Sequence, residues 1–253
     1  MFTAFDLTLS PTCMDKKWES EGRGLFSAQR EKVISLLQSY TIGSGTLNGT
    51  KIQSDWFPEI NADVFISHSH DDEAMALNLA GWLYVAFGIR SFIDSSVWGY
   101  APDLLKLIDD KHCKIEGSDV YDYNKRNGST SHVHMMLSVA LAKMIDRTEC
   151  VLFLNTPSSL TIKDATATVG SPWLYNEIAL CDIVERKTPS TLIKKSSTNF
   201  SRIDESRVPV EYIVDLGKFP KLNINTLAAW SKSGPKSIRE ALDILYYLVL
   251  PQK

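Results

Sequence analysis

The run Asp63-Val64-Phe65-Ile66-Ser67 has the composition of a short strand in a parallel sheet, because its centre is apolar and polar residues follow it. Apolar residues at helical spacing then extend over residues 73–87, and Gly88 is a typical residue at the end of a helix. This part of the chain therefore predicts one strand followed by one helix, which is the repeating unit of α/β proteins.

The same alternation continues toward the C-terminus. Further strands are predicted over residues 89–94, 150–154 and 210–214. Further helices are predicted over residues 27–40, 102–110, 131–146, 171–184 and 237–250. The polar residues 111–130 are predicted to form a loop. Short apolar strands that alternate with helices predict an α/β fold in which a parallel sheet has helices on both faces.

Length and composition indicate one globular domain. The chain has 253 residues, of which 44% are hydrophobic, and no Pro/Gly/Ser-rich linker divides it. We expect the domain to span residues 61–253, with residues 1–60 as an N-terminal extension packed on it. The formal net charge of -3 and the lack of a basic cluster argue against a nucleic-acid partner.

The cysteines and the apolar segments indicate in which cellular compartment the protein is located. The four cysteines form no Cys-x-x-Cys pair, which favours reduced thiols over a disulfide framework or a zinc site. The start of the sequence lacks the pattern of a signal peptide, and the apolar run at residues 244–250 is too short to cross a bilayer. We expect a cytoplasmic protein without a membrane partner.

The segment Ser171-Pro172-Trp173-Leu174-Tyr175-Asn176-Glu177 is predicted to begin a helix. Ser171 can cap the first free amides, and Pro172 suits the first helical position. Trp173 and Glu177 are four residues apart, so they share one face of that helix. The pair has two interpretations, a core Trp with a solvated Glu, or an aromatic plate and a carboxylate in a ligand pocket.

Ligands of parallel sheets bind at the carboxyl ends of the strands. The first three predicted strands end in residues 67–72, 95–100 and 155–157, and the helix that contains Glu177 follows the third strand. This order predicts that Glu177 lies near a pocket formed by the other two loops.

Together these motifs resemble the Toll/interleukin-1 receptor (TIR) domain family. Residues 63–69 resemble its first strand and the following loop, residues 92–94 its second strand, and residues 171–177 its S-x-W-x-x-x-E helix. The resemblance covers about residues 60–250 and implies a flavodoxin-like TIR fold. Trp98-Gly99-Tyr100 stands where receptor forms carry an Arg-Asp...Pro-Gly pattern, which argues against receptor-style adaptor binding.

The resemblance also implies an enzyme. The chain looks most similar to stand-alone bacterial forms, including the TIR subunits of Thoeris-type antiphage systems, which cleave NAD at the nicotinamide–ribose bond with the glutamate that corresponds to Glu177. NAD would be the substrate, and neither a cofactor nor a metal would be needed. The product would be ADP-ribose or a cyclic or conjugated derivative that a separate effector protein reads. Members of this family generally self-associate, which implies a homo-oligomer.

A substrate site around Glu177 follows from the same resemblance. Its expected members are Ser67, His68, Ser69, Asp94, Trp98, Tyr100 and Trp173. Ser67 and Ser69 either face the diphosphate of NAD or belong to a solvated turn. Trp98 and Tyr100 either cover the ligand, form a subunit contact or pack within their loop. Trp173 either stacks on a ring of NAD or packs in the core.

The chemistry needs few groups. Breaking the nicotinamide–ribose bond passes through an oxocarbenium-like state, as glycoside cleavage does. Nicotinamide leaves as a neutral molecule, so a general acid is not required. One carboxylate can orient the ribose hydroxyls and offset the growing positive charge.

Two other functions are compatible with the sequence. His68, His70 and Asp72 resemble the metal-binding start of the metallo-β-lactamase superfamily and would make a zinc-dependent hydrolase, although Glu73 stands where that pattern has a further His. A non-enzymatic TIR assembly module is the second alternative, because a fold does not determine a function.

Overall fold

The computed structural model describes residues 1–10, 17–30, 40–42, 45–98, 101–163, 166–169, 171–184 and 212–250. In chain order the strands are β1 (Thr3–Thr8), β2 (Thr41–Ile42), β3 (Thr46–Leu47), β4 (Val64–Ser67), β5 (Ser91–Phe92), β6 (Cys150–Asn155), β7 (Thr161–Lys163), β8 (Thr166–Val169), β9 (Tyr212–Ile213) and β10 (Lys221–Asn223). The α-helices are α1 (Lys17–Arg30), α2 (Gly49–Trp56), α3 (Glu73–Phe87), α4 (Asp94–Trp98), α5 (Ala101–His112), α6 (Tyr123–Arg147), α7 (Pro172–Ile183), α8 (Ile224–Ser231) and α9 (Ile238–Val249).

The chain divides into two compact units. The first unit comprises Met1–Leu25, Asn61–Ile93 and Ile145–Lys253, and the second comprises Phe26–Ile60 and Asp94–Met144. The first unit contains the main sheet and the helix that carries Glu177. Across the described residues of both units, no helix combines the length and the apolar character that crossing a membrane requires.

The main sheet of the first unit has five strands among the described residues, in the order β10-β1-β6-β4-β5, and their pairings are parallel. All residues of β4 are buried, and so are all but the last residue of β6. Because successive side chains of a strand point to opposite faces, both faces of the sheet are covered. The predicted α/β class, with a parallel sheet flanked by helices, is confirmed.

Different helices cover the two faces of this sheet. Phe5 on β1 stacks on a tyrosine ring of α9, with the ring centroids 6.1 Å apart. Asp6 follows Phe5 and therefore points to the opposite face, in register with Phe153 of β6. Phe153 is in turn in register with Ser67, whose hydroxyl contacts α7. Therefore α9 and α7 lie on opposite faces of the sheet.

α1 and α3 cross at close range. A Cβ atom at Gly22 would lie 2.0 Å from the carbonyl oxygen of Leu77, and one at Gly81 would lie 2.1 Å from that of Trp18. These distances leave no room for a side chain, so glycine at both positions allows the two backbones to touch.

The position of β1 differs from the expectation that residues 1–60 pack on the outside of the domain. β1 lies inside the main sheet, with β6 on one side and β10 on the other. The carboxylate of Asp6 accepts a hydrogen bond from Asn155 Nδ2 over 2.9 Å and forms an ion pair with Lys221. These partners are 149 and 215 positions away in the sequence, so no local pattern indicates them. The rest of that domain division stays a prediction.

The last strand of the main sheet also differs from the prediction. Residues 212–213 of the predicted strand 210–214 form β9, which pairs with β8 in an antiparallel sheet, and residues 210–211 lie outside the described part of the chain. The edge position of the main sheet belongs to β10 instead. Its sequence Lys-Leu-Asn is too short and too polar to register as an apolar strand.

Half of the predicted loop at residues 111–130 is helical. α5 ends at His112, and α6 begins at Tyr123, because Asp122 Oδ1 accepts a hydrogen bond from the amide of Lys125 over 2.9 Å at the helix start. Ser129 then donates a hydrogen bond to the buried carboxylate of Asp109 on α5. For the predicted helix at residues 27–40, the structure places 27–30 in α1, while 31–39 lie outside the described residues.

Candidate functional site

The main sheet has a topological switch point between β4 and β6. From β4 the chain continues to β5 at one edge of the sheet, and from β6 it leads to β10 at the other edge. In open parallel sheets the crevice outside the carboxyl ends of two such strands is where ligands bind. Ser67 ends β4 at this point, Asn155 ends β6, and α7 comes after β6 along the chain.

Glu177 on α7 lies against the end of β4. Ser67 donates its hydroxyl hydrogen to Glu177 Oε2 over 2.5 Å, and the two residues are 0% and 2% exposed. α7 begins as predicted, since the side chain of Ser171 accepts a hydrogen bond from the amide of Leu174 over 3.3 Å and Pro172 occupies the first turn. Glu177 thus lies at the first of the strand ends that were expected to form its pocket, and the pocket itself stays a prediction. The alternative of a solvated Glu is wrong, because the residue is buried.

A second buried carboxylate connects the segments that follow β4 and β6. Asp72 Oδ2 accepts hydrogen bonds from Ser69 Oγ over 2.6 Å and from Thr156 Oγ1 over 2.5 Å. Ser69 and Asp72 are 8% and 7% exposed. Ser69 therefore belongs to a buried network, which differs from both the solvated turn and the open diphosphate contact that the sequence suggested.

The turn after β6 is closed by a serine. Ser159 Oγ donates to the carbonyl oxygen of Leu154 over 2.8 Å and accepts a hydrogen bond from the amide of Thr156 over 2.9 Å. Sequence reasoning missed Thr156 and Ser159. The signal that could have indicated them is the hydroxyl-rich run Thr156-Pro157-Ser158-Ser159 directly after an apolar strand.

Apolar residues of α7 pack against β6. Leu174 and Ile178 are 6% and 4% exposed, and together with Phe153 they line a cavity of about 10 Å³, the room of roughly one water molecule. Burial raises the pKa of the Cys181 thiol, one turn after Glu177, and the negative charge of Glu177 raises it further. α7 is thus packed tightly on β6, in an environment where charges interact strongly.

Trp173 is partly exposed on α7, one turn before Glu177. Tyr175, two residues after Trp173, stacks on Tyr212 of β9 with ring centroids 4.3 Å apart. A partly exposed indole close to a buried carboxylate fits ring stacking better than a core position, and the stacking role of Trp173 stays a prediction.

Trp98 belongs to the core of the second unit. It is 2% exposed, its Nε1 donates to the carbonyl oxygen of Pro58 over 3.3 Å, and its ring meets that of Phe57 edge-on at 5.9 Å. This geometry supports packing over the ligand contact that the sequence suggested. Asp94 begins α4 in the same unit and is partly exposed. Tyr100 lies outside the described residues.

The His-x-His-x-Asp pattern does not form a metal site in the described part of the chain. His68 is buried and His70 is exposed, and Asp72 is engaged by two hydroxyl groups. No three side chains of His, Cys, Asp or Glu among the described residues come together as metal ligands. The zinc hydrolase therefore has no geometric support.

No protein-family model, no curated protein and no solved structure matches this chain. A functional proposal for it accordingly depends on its own residues and their geometry.

Proposed function

We propose that this protein is an NAD-consuming enzyme of the TIR type that cleaves the nicotinamide–ribose bond, with Glu177 as its catalytic carboxylate. The observation that carries the proposal is the placement of Glu177. The carboxylate is held by Ser67 at the switch point between β4 and β6, where parallel sheets bind their ligands.

The proposed reaction breaks the bond between the ribose C1′ atom and the nicotinamide nitrogen. The bonding electrons leave with nicotinamide, which becomes neutral, and positive charge develops on the ribose. Glu177 would orient the ribose hydroxyls and offset this charge. Because Glu177 is 2% exposed, that interaction is stronger than it would be in water.

Access to Glu177 sets a condition on the activity. Because the residue is only 2% exposed, NAD reaches it only after the side chains that cover it have moved. We therefore propose that the active form is a homo-oligomer whose assembly opens the site. The product would be ADP-ribose or a cyclic or conjugated derivative, serving as a signal to a separate effector in bacterial antiphage defence.

A non-enzymatic assembly module is the second candidate, and one observation favours it. A glutamate that is almost completely buried and bonded to a serine also fits a purely structural pair. The two candidates differ in what Glu177 does in the presence of NAD.

The test is to incubate the purified protein with NAD over a range of protein concentrations and to measure nicotinamide and the mass of the second product. We expect release that rises more steeply than the protein concentration. Loss of the carboxylate in Glu177→Ala should lower the rate by roughly 10²–10⁴-fold. Asp243→Asn is the control, since it changes a partly exposed acid on α9, which covers the face of the sheet opposite Glu177.

Two outcomes would decide against the enzyme. A wild-type protein that releases no nicotinamide at any concentration supports the assembly module. Release that persists in Glu177→Ala, or that a chelator abolishes, assigns the chemistry to other groups.

A further inference from the structure

We infer that Ser67 is a positioning residue for Glu177: the hydroxyl of Ser67 orients the Glu177 carboxylate before substrate binds. The inference rests on the proposed function, because it assigns a role within that reaction. It replaces the expectation that Ser67 contacts the diphosphate of NAD.

Ser67 is held on a rigid part of the first unit. It is the last residue of β4, which pairs with β6 on one side and with β5 on the other. Its backbone is in register with Phe153 of β6. The hydroxyl therefore starts from a position that the sheet fixes.

The helix α7, which carries Glu177, is also fixed by contacts along its length. The cap by Ser171 fixes the beginning of α7, and Lys218 forms an ion pair with Asp182 near its end. Between them Tyr175 stacks on Tyr212. A hydrogen bond between two rigid elements can hold a reacting group in one geometry, which a bond between loops does less well.

Burial makes this bond matter more than a similar bond at the surface. The two residues are 0% and 2% exposed, and Ser67 Oγ lies 2.5 Å from Glu177 Oε2. Removal of a buried hydrogen-bond partner costs more than removal of an exposed one, because water does not replace it.

Kinetics separate positioning from substrate contact. If Ser67 acts through Glu177, removal of its hydroxyl should affect the rate of the chemical step more than substrate binding. A diphosphate contact would have the opposite signature, a higher KM with little change in kcat.

The chain offers a matched control in Ser91. This serine lies on β5, next to β4, and is 6% exposed. Its hydroxyl has no hydrogen-bond partner among the described residues. Ser91→Ala therefore removes the same group from the same sheet without touching Glu177.

The experiment compares wild type, Ser67→Ala, Ser67→Thr and Ser91→Ala in the release of nicotinamide from NAD. We expect Ser67→Ala to lower kcat by roughly 10- to 100-fold, the loss typical of a hydrogen bond to a charged group, while KM changes little. Ser67→Thr keeps the hydroxyl and should recover most of kcat, and Ser91→Ala should behave as wild type. If Ser67→Ala does not fold, Ser67→Cys keeps a weaker donor at the same place and is judged by the same criteria.

The outcomes distinguish this inference from the function on which it rests. An active wild type whose kcat is unchanged or raised in Ser67→Ala, or whose loss lies wholly in KM, overturns the positioning role alone. An equal loss in Ser91→Ala does the same, because it assigns the effect to the sheet in general. A wild type that does not cleave NAD overturns the proposed function and this inference with it.

Discussion

The hydroxyl of Ser67 and the carboxylate of Glu177 are joined by a hydrogen bond of 2.5 Å across 110 positions of the sequence. Thr156 and Asp72 form a similar bond across 84 positions. Ser67 ends β4 and Glu177 lies beyond β6, whereas Thr156 lies beyond β6 and Asp72 beyond β4. The first bond therefore connects the end of β4 to α7, and the second connects the segments that follow β4 and β6.

The bond between Thr156 and Asp72 should contribute to the stability of the first unit. Thr156→Val removes a hydroxyl donor from a buried carboxylate, so we expect the free energy of unfolding to fall by about 1.5–3 kcal/mol in a denaturant titration. Thr148→Val is the control, because the hydroxyl of this buried residue donates only to the neutral carbonyl of Ile145. A loss in Thr156→Val that is no larger than the loss in Thr148→Val would contradict the importance of the charged acceptor.

The crossing of α1 and α3 predicts opposite effects of alanine at two nearby glycines. Gly22→Ala would place a Cβ atom 2.0 Å from the carbonyl oxygen of Leu77, so the helices must separate. We expect a loss of about 1–3 kcal/mol in the free energy of unfolding, as for other overpacked sites.

Gly24 on the same helix has open space at its Cβ position. Gly24→Ala should therefore raise the free energy of unfolding by about 0.5–1 kcal/mol through helix propensity. Both variants are compared by thermal and denaturant unfolding. Two changes of the same sign would show that the close crossing does not form in solution.

The hydrogen bond from Tyr121 to Asp110 in the second unit predicts a stability difference that depends on pH. The Tyr121 hydroxyl lies 2.6 Å from Asp110 Oδ1, which lowers the pKa of Asp110 and raises the pKa of Tyr121. The bond therefore stabilises the fold above about pH 4 and below about pH 10, the ordinary pKa values of the two side chains. This contribution disappears as the pH falls through the lowered pKa of Asp110 or rises through the raised pKa of Tyr121.

Tyr121→Phe tests this dependence. The variant should be less stable than wild type at neutral pH, and the difference should vanish when unfolding is measured in acid, at about pH 2. Tyr123→Phe serves as control, since that side chain is 77% exposed. A difference between Tyr121→Phe and wild type that is the same in acid and at neutral pH would contradict the assignment.

Those parts of the fold with strong local signals could be predicted from the sequence. β4 and β6 are short apolar runs, α3 ends at Gly88 with a φ of 71°, and α7 begins with the cap of Ser171 and Pro172. In each case neighbouring residues decide the structure, so the pattern and the observed element agree.

The missed elements depend on distant partners. β1 was not predicted from the sequence, and the carboxylate of Asp6 on it is buried beside Asn155 and Lys221, which lie much later in the chain. The sequence of the first turns of α6 is typical of a loop. In the structure, Ser129 of this segment donates a hydrogen bond to Asp109 of α5. Single residues of this kind carry no periodic signal.

The sequence predicted the place of the candidate site but not the contacts within it. The order of strands and helices predicts a pocket near Glu177, and in the structure this residue lies at the end of β4, one of the strand ends expected to form that pocket. Which side chains contact it is a matter of packing, so the roles of Ser67, Ser69 and Trp98 could not be derived from the sequence. Thr156 was missed because its partner, Asp72, lies on the other side of the switch point.

The most direct test of the central claim is the rate of nicotinamide release from NAD by wild type and by Glu177→Gln at equal concentration. Gln preserves the size of the side chain and removes its charge, so the fold is retained while the proposed electrostatic role is lost. We expect measurable release by wild type and a rate at least about 100-fold lower in the variant. Equal rates in the two proteins, or no release by wild type at concentrations that produce oligomers, would contradict it.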